Sequence, residues 1–299
     1  MVNAPTRAAP SVGTSLEDAF AECRRAARTH YENFTVLSWL TPRRLRPHRA
    51  AIYAYCRAAD DLGDEAEGDR LVLLDRFEED LAAAIGGEGR GPIFTALAET
   101  IARFDLPREP FARLIEANRI DQRTTRHATF ADLLHYCEHS ANPVGRLVLM
   151  LHGHRDDERF ALSDATCTAL QLANFWQDVA RDLAKGRIYL PADEMERFGV
   201  SEADLGASRA GERVQDLVRF QVERTRELFE RGLPLIDRVR GRLKVELALF
   251  SRGGLAVLDA ICAQDYDTLR GRPTVSRREK RRLIASTIID LALGRGRWT

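Results

Sequence analysis

The side chains best placed to do chemistry are the carboxylates of Asp60, Asp61, Asp64, Asp178 and Asp182 and the amides of Gln171 and Asn174. Gln171, Asn174, Asp178 and Asp182 recur at i, i+3, i+7 and i+11, which is one stripe on a helix turning 100° per residue. Leu170, Leu172, Phe175, Trp176 and Val179 fill the remaining circumference, so this helix is expected to be buried on most sides. Two carboxylates roughly 6 Å apart at i, i+4 repel by about 3 kcal/mol at an effective dielectric of about 20, and a hard divalent cation between them reverses that cost. Mg2+ is the expected ion, because it prefers carboxylate oxygens and keeps positions open for phosphate. Asp60 and Asp64 repeat the spacing after the apolar run from Ala50 to Cys56, and two acidic helix faces predict a metal cluster. Either face alone is equally the signature of carboxylates paired with arginines on a solvated surface, and that alternative stays open.

Helices must position these groups. Helical periodicity runs along the chain with no alternating strand, which predicts an all-α protein of one domain over residues 14–299 behind a disordered leader, residues 1–13. Ser15 can cap a first helix ending near Arg28. The next, from about Pro47 to Asp64, puts Tyr53, Arg57, Asp60 and Asp64 on one face. Gly63 costs about 1 kcal/mol against alanine there, which predicts fraying at the acidic end and a loop able to close over a ligand. Helices over 69–85, 92–104 and 108–122 read as scaffold. From Phe130 a long helix carries Tyr136, and Asn142-Pro143 either kinks it or divides it in two. Ser163 can cap the central helix, and Gly186 with Pro191 ends it. Short pieces over 193–209 precede long helices from Ala210 to Arg231 and from Leu243 to Tyr266, the last broken at Gly253-Gly254.

Composition narrows the function. A formal net charge of zero gives no reason to expect nucleic acid. The five cysteines are scattered and lack CxxC spacing, which argues against a disulfide framework or zinc site and fits a reducing cytoplasm. No run approaches 18 apolar residues, so any membrane contact is expected to be peripheral. Between Leu269 and Arg282, seven basic residues face one acidic residue, Glu279. That run reads as a solvated face, or as Arg270 or Arg272 on a diphosphate with the remainder on an anionic membrane surface. No Walker loop, GxSxG elbow or GxGxxG is present.

Taken together, Tyr53 to Glu65, the QxxNxxxDxxxD stretch from Gln171 to Asp182, Arg187-Ile-Tyr189-Leu-Pro191 and Asp132 to Cys137 resemble the squalene and phytoene synthase family of head-to-head isoprenoid synthases, over residues 15–290. Glu32-Asn-Phe34, Ser140 to Arg146 and Asn174-Phe-Trp-Gln-Asp178 look most like its hydroxysqualene synthases of the bacterial hopanoid pathway. Gln177 departs from the arginine that coupling members carry before the aspartate. The resemblance implies an all-α isoprenoid synthase fold, with two aspartate-bearing helices flanking a central apolar cavity. It implies Mg2+ held by Asp60, Asp61, Asp64, Asn174, Asp178 and Asp182. Diphosphate would be bound by Arg57, Gln171, Asn174, Arg187, Arg270 and Arg272, and Tyr53, Tyr136 and Tyr189 would face the cation. The implied substrate is presqualene diphosphate, with association with the preceding synthase of the pathway as a further expectation. A condensing synthase acting on farnesyl or geranylgeranyl diphosphate, with Arg181 standing in for the missing cation, and a non-catalytic assembly protein on the same fold are the alternatives.

Overall fold

A computed structural model describes residues 15–29 and 40–294; the expected leader and the Glu32-Asn-Phe34 motif lie outside the described residues. The architecture is all-α, and among the described residues the sole β-type pairing is an isolated bridge between Arg126 and Ile188. Helix α1 (Leu16–Thr29) starts where Ser15 Oγ accepts the Asp18 amide at 3.1 Å. A first layer comprises α2 (Arg46–Asp64), α3 (Arg70–Ile85), α4 (Gly91–Phe104) and α5 (Arg108–Arg123). These pack around Tyr55, Leu74, Phe77, Phe94 and Phe111, and the buried Tyr55 hydroxyl is satisfied by donating to the Phe111 carbonyl at 2.9 Å.

After α6 (Phe130–Ser140) and α7 (Asn142–Leu151) come the central α8 (Asp157–Gln177) and α9 (Val179–Ala184). Short α10 (Ala192–Phe198) and α11 (Glu202–Leu205) follow, then α12 (Glu212–Gly232), α13 (Leu235–Arg238), α14 (Gly241–Cys262) and α15 (Arg277–Ala292). Helix α8 is the spine, packed on α7, α12 and α14. Its Trp176 is fully buried and donates through Nε1 to Thr225 Oγ1 of α12 at 2.8 Å.

Four local expectations change. Gly63 does not fray α2: it is buried, and its carbonyl accepts from Arg70 Nη1 at 3.0 Å and Gln122 Nε2 at 2.9 Å, so the helix end is clamped. Asp156, not Ser163, caps α8, and Ser163 is buried within the helix. Helix α14 runs unbroken through Gly253-Gly254, because Gly254 meets the Phe229 ring where a Cβ would lie 2.3 Å from Cζ. The stripe from Gln171 to Asp182 bends at Asp178 (φ −107°, ψ 14°), although the Asp178 amide still bonds the Asn174 carbonyl and the Asp182 amide that of Asp178. The Asn142-Pro143 alternative resolves as two helices, with Asn142 Oδ1 accepting from Thr168 Oγ1 at 3.0 Å.

Candidate active site

The acidic end of α2 is shaped by its neighbour α5. A Cβ on Gly63 would sit 2.2 Å from Asn118 Oδ1, so glycine is what lets α5 approach and lets Asn118 Nδ2 donate to Asp60 Oδ1 at 3.3 Å. Arg57 Nη2 lies 2.7 Å from Asp61 Oδ1 and 3.2 Å from Glu65 Oε1. Tyr53 is half-buried one turn earlier on the same helix.

The second acidic group forms where α8 gives way to α9. Arg272 grips Asp178 in a two-pronged pair, Nε to Oδ1 at 2.6 Å and Nη2 to Oδ2 at 2.8 Å. Arg181 stands 3.5 Å from the same carboxylate. Gln177 is 2% exposed, and its Nε2 donates to the Pro273 carbonyl, so helix and loop are joined at two adjacent residues. Gln171 is half-buried and Asn174 exposed on the same stripe. Arg270 is exposed, with its amide on Asp267 Oδ1 at 3.2 Å.

The segment after α9 connects the two groups. Arg187 Nη2 donates to Asp64 Oδ1 at 2.8 Å while its Nη1 lies 3.9 Å from Asp121 Oδ2, and Lys185 Nζ stands 3.9 Å from Asp64. Asp121 of α5 was not among the expected site residues. It accepts the Tyr136 hydroxyl at 2.8 Å. Tyr189 stacks on Phe175 with centroids 3.8 Å apart and planes at 10°, and Tyr136 lies 5.8 Å and His127 5.7 Å from Tyr189. A cleft lined by Phe175, Val179, Tyr189 and Leu190 carries Asp182 and Arg187 as its charged members. The sequence did hold a signal for the missed residues: Asn118, Asp121 and Gln122 share one face of α5 at i, i+3 and i+4.

Burial, reinforced by the charges of Asp178 and Asp121, pushes the Asp182 carboxyl up to about 7, with Lys185 and Arg187 working against it. Burial likewise raises Asp121, opposed by Arg187 and the Tyr136 hydroxyl. Among the described residues no three His, Cys, Asp or Glu side chains are gathered closely enough to hold an ion, since arginines occupy the carboxylates. The donor set nevertheless fits Mg2+: its ligands are hard oxygens, and at Asp182 burial and the neighbouring carboxylates outweigh the charges of Lys185 and Arg187.

The squalene/phytoene synthase family matches residues 27–279. A 15-cis-phytoene synthase of Synechococcus elongatus is 32% identical over 279 residues, covering 87% of this chain and 89% of that protein. A phytoene synthase of Arthrospira platensis is 32% identical over 277 residues, covering 86% and 88%. Among solved structures, squalene synthase HpnC from Alicyclobacillus acidocaldarius superposes with a TM-score of 0.81 at 52% identity, covering 84% of this chain and 95% of that chain. A ligand-bound dehydrosqualene synthase gives 0.85 at 25% identity, covering 93% and 98%.

Proposed function

Because this chain belongs to the squalene/phytoene synthase family, and has its all-α isoprenoid synthase fold, we propose that it acts as a hydroxysqualene synthase of hopanoid biosynthesis. In that reaction the C–O bond of presqualene diphosphate breaks and diphosphate departs with the electron pair. The cyclopropylcarbinyl cation rearranges, and water adds with loss of a proton. No reductant enters, so NADPH is not required.

The observation that carries this reading is Gln177. A neutral, buried amide committed to the Pro273 carbonyl stands where coupling enzymes are expected to place a cation. A site with one fewer cation suits one diphosphate better than two. The HpnC likeness at 52% identity supports the same pathway.

Asp60, Asp61, Asp64, Asn174, Asp178 and Asp182 would hold Mg2+, which when bound supplies positive charge against the leaving diphosphate. Arg187 and Arg272 would exchange their present carboxylates for diphosphate oxygens, releasing Asp64 and Asp178 as ligands. Arg57, Gln171 and Arg270 complete the proposed diphosphate set. Tyr136 already donates its hydroxyl to Asp121, which leaves its ring, with those of Tyr189 and Phe175, to face the cation. Tyr53 would bound the cavity from α2.

A second reading, direct condensation of farnesyl or geranylgeranyl diphosphate, is favoured by the 32% identity to phytoene synthases and by Arg181 standing beside Asp178. Incubation with Mg2+ and either presqualene diphosphate or farnesyl diphosphate, without NADPH, separates the two by mass spectrometry. Hydroxysqualene from presqualene diphosphate alone is the expected result. Product from farnesyl diphosphate would replace the first reading with the second.

A further inference from the structure

Helix α15 presents two unlike faces. Its inner side packs on α14: Thr287 is fully buried, and Arg252 donates to Thr287 Oγ1 at 3.1 Å and to Asp290 Oδ2 at 2.6 Å. The outer side begins with Arg277, Arg278, Arg281 and Arg282, all exposed. At 100° per residue the same face continues through Ile288 and Ile289 to Leu293, which are 43%, 55% and 57% exposed. These are three of the seven large hydrophobic residues exposed among the described residues, concentrated at one end of one helix.

No negative charge interrupts this face. Glu279 is turned into the N-terminal cap, accepting the Ser276 amide at 2.8 Å, and Asp290 is taken by Arg252. We infer that the outer face of α15 docks the protein on the surface of an anionic lipid bilayer, the aliphatic end entering the acyl boundary and the arginine end resting on headgroups. Charge complementarity selects this occupant: four cations with aliphatic side chains beyond them match a negatively charged surface over an apolar interior. No helix among the described residues is long and apolar enough to cross a membrane, so the contact lies along the surface.

The position suits the site. Arg272, which grips Asp178, precedes Arg277 by five residues, at most about 18 Å of chain. The arginine end of the docking face is therefore tethered by a short segment to the residue that grips Asp178, whichever prenyl diphosphate the site accepts.

The test is flotation of the full chain with vesicles of phosphatidylcholine alone and with one-third phosphatidylglycerol. Binding should require the anionic lipid and weaken as salt is raised. Arg281→Ala with Arg282→Ala should reduce partitioning on the order of 30-fold, about fivefold per arginine. Ile288→Gln with Ile289→Gln should reduce it roughly tenfold or more. Both pairs should retain wild-type circular dichroism and turnover of detergent-dispersed substrate. Equal binding to both vesicle types, or indifference to both pairs, would overturn the inference. So would a wild-type dimer that ignores vesicles and that the isoleucine substitutions dissociate, because the face would then join two copies of this chain.

Discussion

Asp182 shows how one side chain registers the whole site. Its carboxyl is held up to about 7 against an ordinary 3.8, first by burial and then by Asp178 and Asp121. The folded protein thus keeps a proton over a range in which the unfolded chain has released it. Without metal, stability should fall as pH rises from about 4 to about 7 and then level, and Asp182→Asn should flatten that part of the profile. Melting temperatures measured in chelator between about pH 4.5 and pH 8 decide it, and an unchanged slope in the variant would assign the titration elsewhere. Asp60, Asp64, Asp178 and Asp182 were legible in the sequence because their spacing is local. Asp121 carried only the weaker signal of sharing a face of α5 with Asn118 and Gln122, because its importance arises only when Tyr136 and Arg187 arrive from other segments. The alternative of arginine partners was also legible in kind, but no spacing says that Asp178 meets a guanidinium 94 positions away.

At the level of elements, the helices were read nearly as they stand, since apolar periodicity reports burial directly. The errors fell where a neighbouring helix overrides local preference. Propensity counts Gly63 and Gly254 as weak points, whereas Asn118 and Phe229 make each a close approach where an added Cβ would force a neighbouring side chain to shift. Gly145 is similar, a Cβ there falling 2.4 Å from Ser163 Oγ and 2.5 Å from Cys167 Sγ, which is why Ser163 is a packing residue and not a cap. Gly63→Ala should therefore destabilise by about 1–3 kcal/mol from overpacking, despite a helix-propensity gain of about 1 kcal/mol. It should also lower turnover by displacing Asn118 from Asp60. Denaturant unfolding and activity measured together test this, and a variant as stable and active as wild type would show that α5 can retreat without cost.

For the molecule as a whole, the acidic groups of α2 and of the junction between α8 and α9 are each paired with arginines, with Arg187 linking α2 to the segment after α9. The complex of diphosphate with Mg2+, at about 100 times its dissociation constant, should accordingly stabilise the protein by about 2.7 kcal/mol, and either component alone at the same concentration by far less. Thermal shift with Mg2+, with pyrophosphate and with both measures this coupling. The full shift from Mg2+ alone would mean that the carboxylates accept the ion without surrendering their arginines. The paired attachment at Gln177 and Asp178 bears on the order of these exchanges. On the proposed reading, Arg272 would trade Asp178 for a phosphate oxygen while the amide of Gln177 still moors Pro273, so the loop would not be lost and found again in each turnover. An arginine installed at 177 would sever that mooring and strand a charge in a buried place, so on the proposed reading a second diphosphate subsite would require moving a loop as well as changing one residue.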